Sequence, residues 1–168
     1  MDLFEINGKN LWNFGGYSPP LLVLASRIQG IAVSANPVAL SRDRNVLPTD
    51  YRVFMGGDEN LRGFTRRGLN NSRLGYLSAL YLGFELRLIG ELPYRIEPFL
   101  LWDAARMGDR RFTLDPPLFT SEGLGVRWAS PFGTLRGTAA RGEIHQGDDS
   151  TREYSEEWVY FVSFGQEF

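Results

Sequence analysis

Strict alternation of apolar and polar residues is the feature of this sequence that most limits its fold. In the segment LGYLSALYLGFELRLIG, every even position from Leu80 to Leu88 is leucine or phenylalanine, while the odd positions between them carry Tyr, Gly, Glu and Arg. Successive side chains of a β-strand point to opposite faces, so a period of two predicts a strand with one apolar and one polar face.

Six further segments show the same period, which brings the predicted total to seven strands. They are LFEINGKNLWNF, LLVLASRIQGIAV, YRIEPFLLWDA, EGLGVRWAS, TLRGTAARG and EEWVYFVSFGQEF. Aromatic residues make up 14% of the chain and 19 residues are glycine, which suits an all-β protein. A length of 168 residues is most simply one domain. We therefore predict a single all-β domain over residues 1–168.

Composition excludes several classes of function. The net charge of −2 gives no basic surface for nucleic acid, and the absence of cysteine excludes disulfides and thiolate metal sites. No apolar run is long enough for a transmembrane helix, and MDLFEINGKN lacks the features of a signal peptide. There is no Gly-x-Ser-x-Gly motif and no phosphate-binding loop. The sequence therefore predicts a protein that is not an enzyme and has no cofactor.

One group of acidic residues surrounds the single histidine. Glu143, His145, Asp148 and Asp149 lie close together, but their spacing does not match that of metal ligands. We interpret them as side chains of a solvated, turn-rich loop and predict no metal site.

The connections between the predicted strands alternate between short and long. Short turns at GGYSPP, GELP and SPFG alternate with long segments at about 35–73, at RMGDRRFTLDPP and at EIHQGDDSTREYSE. Outer-membrane barrels have short periplasmic turns and long outside loops, with strands of about ten residues. This pattern favours an antiparallel transmembrane β-barrel in the bacterial outer membrane. The alternative is a soluble β-sandwich, whose strands bury one face in a shared core.

An odd number of strands leaves the two ends of the chain on opposite sides of a membrane. Seven strands also do not close a conventional barrel, so we expect the chain to be the C-terminal half of a larger barrel of about 16 strands. The rest of the barrel would come from a missing N-terminal half or from another chain.

Four motifs, in the same order and at similar spacing, resemble those of the BamA/TamA-type bacterial surface antigen family. They are FMGGDENLRGF, EPFLLWDAAR, SEGLGVRWASPFGTLR and FVSFGQEF, and the resemblance covers residues 20–168. The first motif is similar to the family's signature loop, which the resemblance places in the barrel lumen. Its residues are Gly56, Gly57, Leu61, Arg62, Gly63 and Phe64.

The resemblance implies that the loop arginine, Arg62, reaches back to acidic residues of the inner wall. By position these are Glu85 and Asp103, and the alternation independently puts both on the polar face. A guanidinium offers a planar fork of donors that matches carboxylates. The alternative is that Arg62 is solvated and the two acids only wet the lumen. One departure from the family pattern is Ala105, where the family commonly has glycine.

The end of the chain is similar to the C-terminal signal of outer-membrane barrels. Its residues are Trp158, Tyr160, Val162, Phe164, Gly165 and the terminal Phe168. An edge strand of this kind is a template for strand addition.

The resemblance implies a barrel that helps insert or translocate proteins by templating strands at a lateral seam. Its partners would be outer-membrane lipid, lipopolysaccharide, and unfolded outer-membrane or secreted proteins. Arg66, Arg67 and Arg73 are candidates for lipopolysaccharide phosphates, with a plain solvated loop as the alternative. Two other functions remain open: a barrel anchor for a secreted enzyme such as a patatin-like lipase, and a self-associating small barrel or pore.

Overall fold

The regular structure of this chain is almost entirely β. The computed structural model describes residues 2–15, 20–34, 52–69, 75–90, 92–110, 112–145, 152–154 and 157–165. The strands are β1 (Asp2–Phe14), β2 (Leu22–Ser34), β3 (Ser78–Leu88), β4 (Ile96–Gly108), β5 (Asp115–Ser130), β6 (Gly133–His145), β7 (Arg152–Tyr154) and β8 (Val159–Phe164). A 3-10 turn at Pro93–Arg95 precedes β4. None of the helical structure in these ranges is long and apolar enough to cross a membrane.

All eight strands belong to one antiparallel sheet. Neighbours in sequence pair in the order β1 to β7, and β8 pairs with β6 beside β7, so two short strands occupy the seventh position. The prediction of an all-β fold with seven antiparallel strand positions is confirmed. Within the described strands β1 pairs only with β2, and β8 only with β6. The sheet is therefore open, as predicted for a chain that does not close a barrel by itself.

The two short strands β7 and β8 pair with separate stretches of β6. Glu143 of β6 lies opposite Tyr154 of β7, whereas Ala140 of β6 lies opposite Val159 of β8. Residues 141 and 142 of β6 therefore lie between the two ladders. The pairing register changes by two residues across this break, so each residue keeps its face of the sheet.

The exposed face of the sheet is largely apolar, whereas the buried face carries charged residues together with part of the hydrophobic core. We call the side covered by residues 52–69 the inner face and the opposite side the outer face. Tyr81 and Glu85 of β3 are buried on the inner face, whereas Leu80 and Leu86 are exposed on the outer face. The exposed large apolar residues of the outer face include Phe4, Ile6, Trp12, Phe14, Ile28, Leu100, Trp102, Leu124, Val126, Trp128, Tyr160, Val162 and Phe164. The described strands thus do not form a β-sandwich, which would bury the apolar face.

The main hydrophobic core lies between the inner face and residues 52–69. This segment contributes Val53, Met55, Leu61, Phe64 and Leu69 to the core. The strands contribute Val33, Ala79, Tyr81, Ala105, Met107 and Phe119, and Leu77 joins the core immediately before β3. Each large side chain buried there stabilises the fold by about 1.5–3 kcal/mol. The segment is therefore packed against the sheet as part of the folded protein.

The connection between β4 and β5 differs from the prediction. The expected long loop RMGDRRFTLDPP is in fact shared with both strands, and the connection is only residues 109–114. Pro116 and Pro117 suggested a loop, but proline is tolerated at the start of a strand and beside an irregularity. The register does shift between Arg106 and Met107. The connection at the opposite end, residues 89–95, is no shorter, so the predicted alternation of lengths is wrong here.

Some predicted features fall outside the described residues. They are most of the turn GGYSPP, the first part of the long segment at 35–73, and residues Arg73, Asp148, Asp149 and Phe168.

Candidate functional site

A tight turn in the long connection directs its tip onto the inner face. Gly56 and Gly57 have φ values of 102° and 125°, in the left-handed region that favours glycine. The Asn60 side-chain oxygen accepts a hydrogen bond from the Gly56 amide (2.8 Å), and the Leu61 carbonyl accepts one from the Phe64 amide (3.1 Å). These bonds turn the chain so that Leu61 to Phe64 are all buried.

Arg62 forms a bidentate ion pair with Asp103 of β4. The Arg62 Nε donates to Asp103 Oδ2 (2.9 Å) and Nη2 donates to Oδ1 (2.6 Å). The Arg62 backbone amide also donates to Oδ2 (3.1 Å). Both side chains are almost fully buried, at 1% and 0% exposure. Planar pairing of this kind fixes both the distance and the orientation of the guanidinium.

Two hydroxyl groups complete the surroundings of Asp103. The Tyr81 hydroxyl donates to Oδ1 (2.9 Å) and the Ser121 hydroxyl donates to Oδ2 (3.1 Å). Tyr81 lies on β3 and Ser121 on β5, so the strands on both sides of β4 hold the carboxylate. Each oxygen of Asp103 accepts at least two hydrogen bonds, which is what a buried carboxylate needs.

Glu85 of β3 is shared by three arginines. Its Oε1 accepts from Arg62 Nη1 and from Arg136 Nη2, and its Oε2 accepts from Arg87 Nε (2.9 Å) and Nη2 (2.8 Å). Arg136 lies on β6 and also places its guanidinium carbon 4.8 Å from the centre of the Phe99 ring. Glu85 therefore links the loop to β6 across β4 and β5.

The site as a whole holds two carboxylates and three guanidinium groups in a space closed to water. Burial by itself lowers the pKa of Arg62, but the Asp103 and Glu85 carboxylates outweigh this and raise its pKa above the ordinary value. Arg62 therefore stays charged at any pH at which the protein is folded. A permanently charged, fully paired group of this kind holds structural elements together and does not exchange protons.

The two residues after Arg62 extend the contact to β5 and β6. Gly63 packs so closely on β6 that an added methyl group would overlap the backbone of Arg141 and Gly142. The Phe64 ring meets the Phe119 ring edge to face, with centroids 6.0 Å apart. Together, residues 62–64 contact four neighbouring strands, from β3 to β6.

The structure brings together the three side chains that the sequence paired: Arg62, Glu85 and Asp103. Ala105 is 2% exposed and belongs to the core beneath the loop. Arg66 and Arg67 are exposed on the segment, and the Arg67 guanidinium lies 5.1 Å from the centre of the Phe54 ring.

Glu143, His145, Asp148 and Asp149 were assigned to a loop, and this is wrong for the first two. Glu143 and His145 lie within β6, where His145 Nε2 is 2.9 Å from the Thr120 hydroxyl and 3.7 Å from a Glu143 carboxylate oxygen. In the described part of the chain, no three potential ligand side chains converge on one point.

The C-terminal signal residues lie on the outer face, away from the arginine cluster. Tyr160, Val162 and Phe164 are 73%, 78% and 61% exposed, and Trp158 immediately precedes β8. Gly165 ends the strand with a φ of 75°, and its amide donates to the Thr134 carbonyl (2.8 Å).

Sequence reasoning did not identify four residues of the site: Tyr81, Arg87, Ser121 and Arg136. Tyr81 and Arg87 share the polar face of β3 with Glu85, so the alternation contained the signal for them. Ser121 lies before the segment predicted as a strand, and Arg136 lies in TLRGTAARG, where apolar and polar residues alternate less regularly than in the other six segments. Their contacts depend on how the strands are aligned, which the alternation alone does not fix.

Comparison of the sequence with protein families and with curated proteins found no match. The function is therefore inferred from this chain's own geometry and from the order of its motifs.

Arg62→Ala should destabilise the protein and release residues 52–69 from the sheet. Removing one partner of a buried ion pair costs about 3–5 kcal/mol, because it leaves an unpaired charge. Arg62→Lys should recover only part of this, since lysine lacks the planar fork. Denaturant unfolding and protease cleavage near Gly63 measure the two effects.

A second substitution separates the charge effect from loss of packing. Adding Asp103→Asn to Arg62→Ala removes the unpaired carboxylate and should restore part of the stability. Glu85→Gln added to the same variant should not, because Arg87 and Arg136 still need that carboxylate. Equal effects of the two additions would contradict the assigned pairing.

Gly63→Ala should destabilise the protein by about 1–3 kcal/mol, because the methyl group has no room against β6. Gly137→Ala is the matched control, since a methyl group there would meet nothing within 4 Å. The control should change the free energy of unfolding by no more than about 0.5 kcal/mol. Equal stability of the two variants would show that Gly63 is not in close contact with β6.

Proposed function

We propose that this chain forms part of the wall of an outer-membrane β-barrel of the assembly or translocation type, with residues 52–69 inside its lumen. The observation that carries the proposal is the inverted sheet: its exposed face is largely apolar, and its cluster of paired charges lies on the buried face. Soluble proteins rarely expose an apolar surface this extensive. In a bilayer the same face would lie against lipid tails, as it does in transmembrane barrels.

The positions of the tryptophans support a membrane setting. All four tryptophans are between 44% and 47% exposed. Trp12 and Trp128 are each two residues from the end of their strands. Both lie at the end of the sheet where β1 leads to β2 and β5 leads to β6. Trp and Tyr are enriched where hydrocarbon meets head groups. In our proposal, this end of the sheet therefore lies at one interface between the membrane and water.

The inner face supports the lumen assignment of residues 52–69. Barrel interiors are polar, and a loop folded into one loses conformational entropy that strong contacts must offset. The contacts of Arg62 with Asp103 and Glu85, together with the core around Leu61, supply that stabilisation. A loop held in this way narrows the lumen permanently. Substrates would then interact with the lateral edge of the sheet, at β8.

The proposed activity depends on that edge. β8 has six residues, and among the described strands it pairs only with β6. A strand edge carries backbone donors and acceptors that can pair with another chain. In our proposal, a substrate strand adds to this edge and then leaves with the rest of its barrel. Strand pairing and burial in lipid provide the free energy, so no nucleotide is required.

Val162→Arg should destabilise the protein by about 2–4 kcal/mol in a bilayer, because it places a charge against lipid. Ser163→Arg is the matched control: it is the next residue of β8 and faces the inner side. The free energy of unfolding from lipid vesicles measures both. A larger loss for Ser163→Arg would reverse the assignment of the two faces.

Cross-linking tests the proposed activity directly. The protein has no cysteine, so each introduced cysteine is unique. Val162→Cys in β8 should form a disulfide with a cysteine in the last strand of an unfolded outer-membrane protein that is inserting into vesicles. Leu82→Cys lies on the outer face of β3, between two paired strands, and should not react. Equal cross-linking at the two positions would contradict strand addition at the β8 edge.

A further inference from the structure

An apolar groove lies on the outer face, at the end of the sheet where β4 leads to β5. Its volume is about 170 Å³. Its lining includes Phe4, Gly30, Ala32, Leu80, Phe112 and Leu114. These residues come from β1, β2, β3 and the connection 109–114, and neither the inner arginine cluster nor the β8 edge includes any of them.

Residues 112–114 of the connection between β4 and β5 form one wall of the groove. The Phe112 ring meets the Phe4 ring of β1 edge to face, with centroids 6.1 Å apart. The Ser78 hydroxyl lies within hydrogen-bond distance of the carbonyls of Arg110 (2.9 Å) and Thr113, and its single proton can be donated to either. Phe112 has a φ of 56°, which is unfavourable for a bulky residue and persists only when its surroundings hold it. The wall is therefore fixed by specific contacts.

Gly30 keeps the groove open. A methyl group built on Gly30 would meet only the Leu80 Cδ1, at 4.0 Å, so the space above this glycine is large enough for a side chain. Gly30 also lacks the positive φ that would require glycine, and β-branched residues suit strands. The strand could therefore carry a larger residue there.

Two exposed arginines lie beside the groove. Arg106 is opposite Leu80 in the pairing of β3 with β4. Arg110 lies on the connection, and its backbone carbonyl is within hydrogen-bond distance of the Ser78 hydroxyl. The same connection carries Asp109, and β5 begins at Asp115, whose carboxylate accepts a hydrogen bond from the Asp109 backbone amide (2.9 Å). The groove thus has an apolar lining, and exposed arginines lie next to it on β4 and on the connection.

We propose that this groove binds a short stretch of one acyl chain of an anionic, phosphate-bearing lipid of the surrounding membrane, with Arg106 and Arg110 contacting the phosphate. The inference rests on the proposed function, since it needs the outer face to lie against lipid. Lipid tails are as apolar as the groove, so burial alone gives no preference for one lipid. The groove selects the shape of a chain, and the arginines select the anionic head group through charge-assisted hydrogen bonds.

The experiment uses the full chain in vesicles of phosphatidylcholine that contain phosphatidylglycerol as the anionic probe. Native mass spectrometry after release from the vesicles counts the lipids that remain bound. The wild-type protein should keep one phosphatidylglycerol in preference to phosphatidylcholine. Arg106→Gln with Arg110→Gln should weaken this binding about fivefold for each arginine removed. Lys9→Gln with Arg95→Gln removes two exposed cations elsewhere and should leave it unchanged.

Filling the groove gives an independent test. Gly30→Val should reduce retention of the lipid at least fivefold while the protein stays folded. Gly137→Val, on the same face but far along the sheet, is the matched control and should bind as the wild type does. The proposal is overturned if phosphatidylcholine is kept equally well, or if either control loses the lipid as its test variant does. Failure of the wild-type chain to enter vesicles at all would instead overturn the proposed function, and the inference with it.

Discussion

The pairing of Glu85 and Asp103 with arginines is the constraint on which the arrangement of this protein depends. A buried carboxylate is stable only when its charge and its hydrogen-bonding capacity are both satisfied. Asp103 takes donors from the loop and from the strands on either side, while Glu85 takes guanidinium groups from the loop, from β3 and from β6. No single element satisfies either carboxylate. The sheet must have the correct register and the loop must be in place before these charges are paired.

The hydrophobic core has the same dependence on the loop. The apolar side of the sheet points outward, so the main core of the described residues forms only where residues 53–69 meet the inner face. Leu61 is part of that core and is adjacent to Arg62, so packing and charge pairing are established by the same few residues. Sheet and loop are therefore expected to become stable together, as one cooperative unit.

The sequence predicts the strands and their faces well, because a period of two follows directly from strand geometry. It also pairs Arg62 with Asp103 and Glu85. The resemblance to the family motifs and the alternation of the strands both indicate these two acids. It fails where the outcome depends on alignment between strands. Arg136 reaches Glu85 from three strands away in the sheet, and no local pattern encodes that distance. The start of β5 was missed because Pro116 and Pro117 are local signals for a loop, whereas pairing with β4 and β6 decides the strand.

The break between β7 and β8 has a mechanical consequence. The two strands have separate ladders on β6, and the Gly63 contact lies on β6 between them, at residues 141 and 142. The six residues of β8 can therefore separate from Leu135–Ala140 of β6, while β7 stays paired with β6 and Gly63 stays in contact with it. The pairing that must break to open this edge is one short ladder of six residues, and none of the residues of β8 belongs to the inner charge cluster.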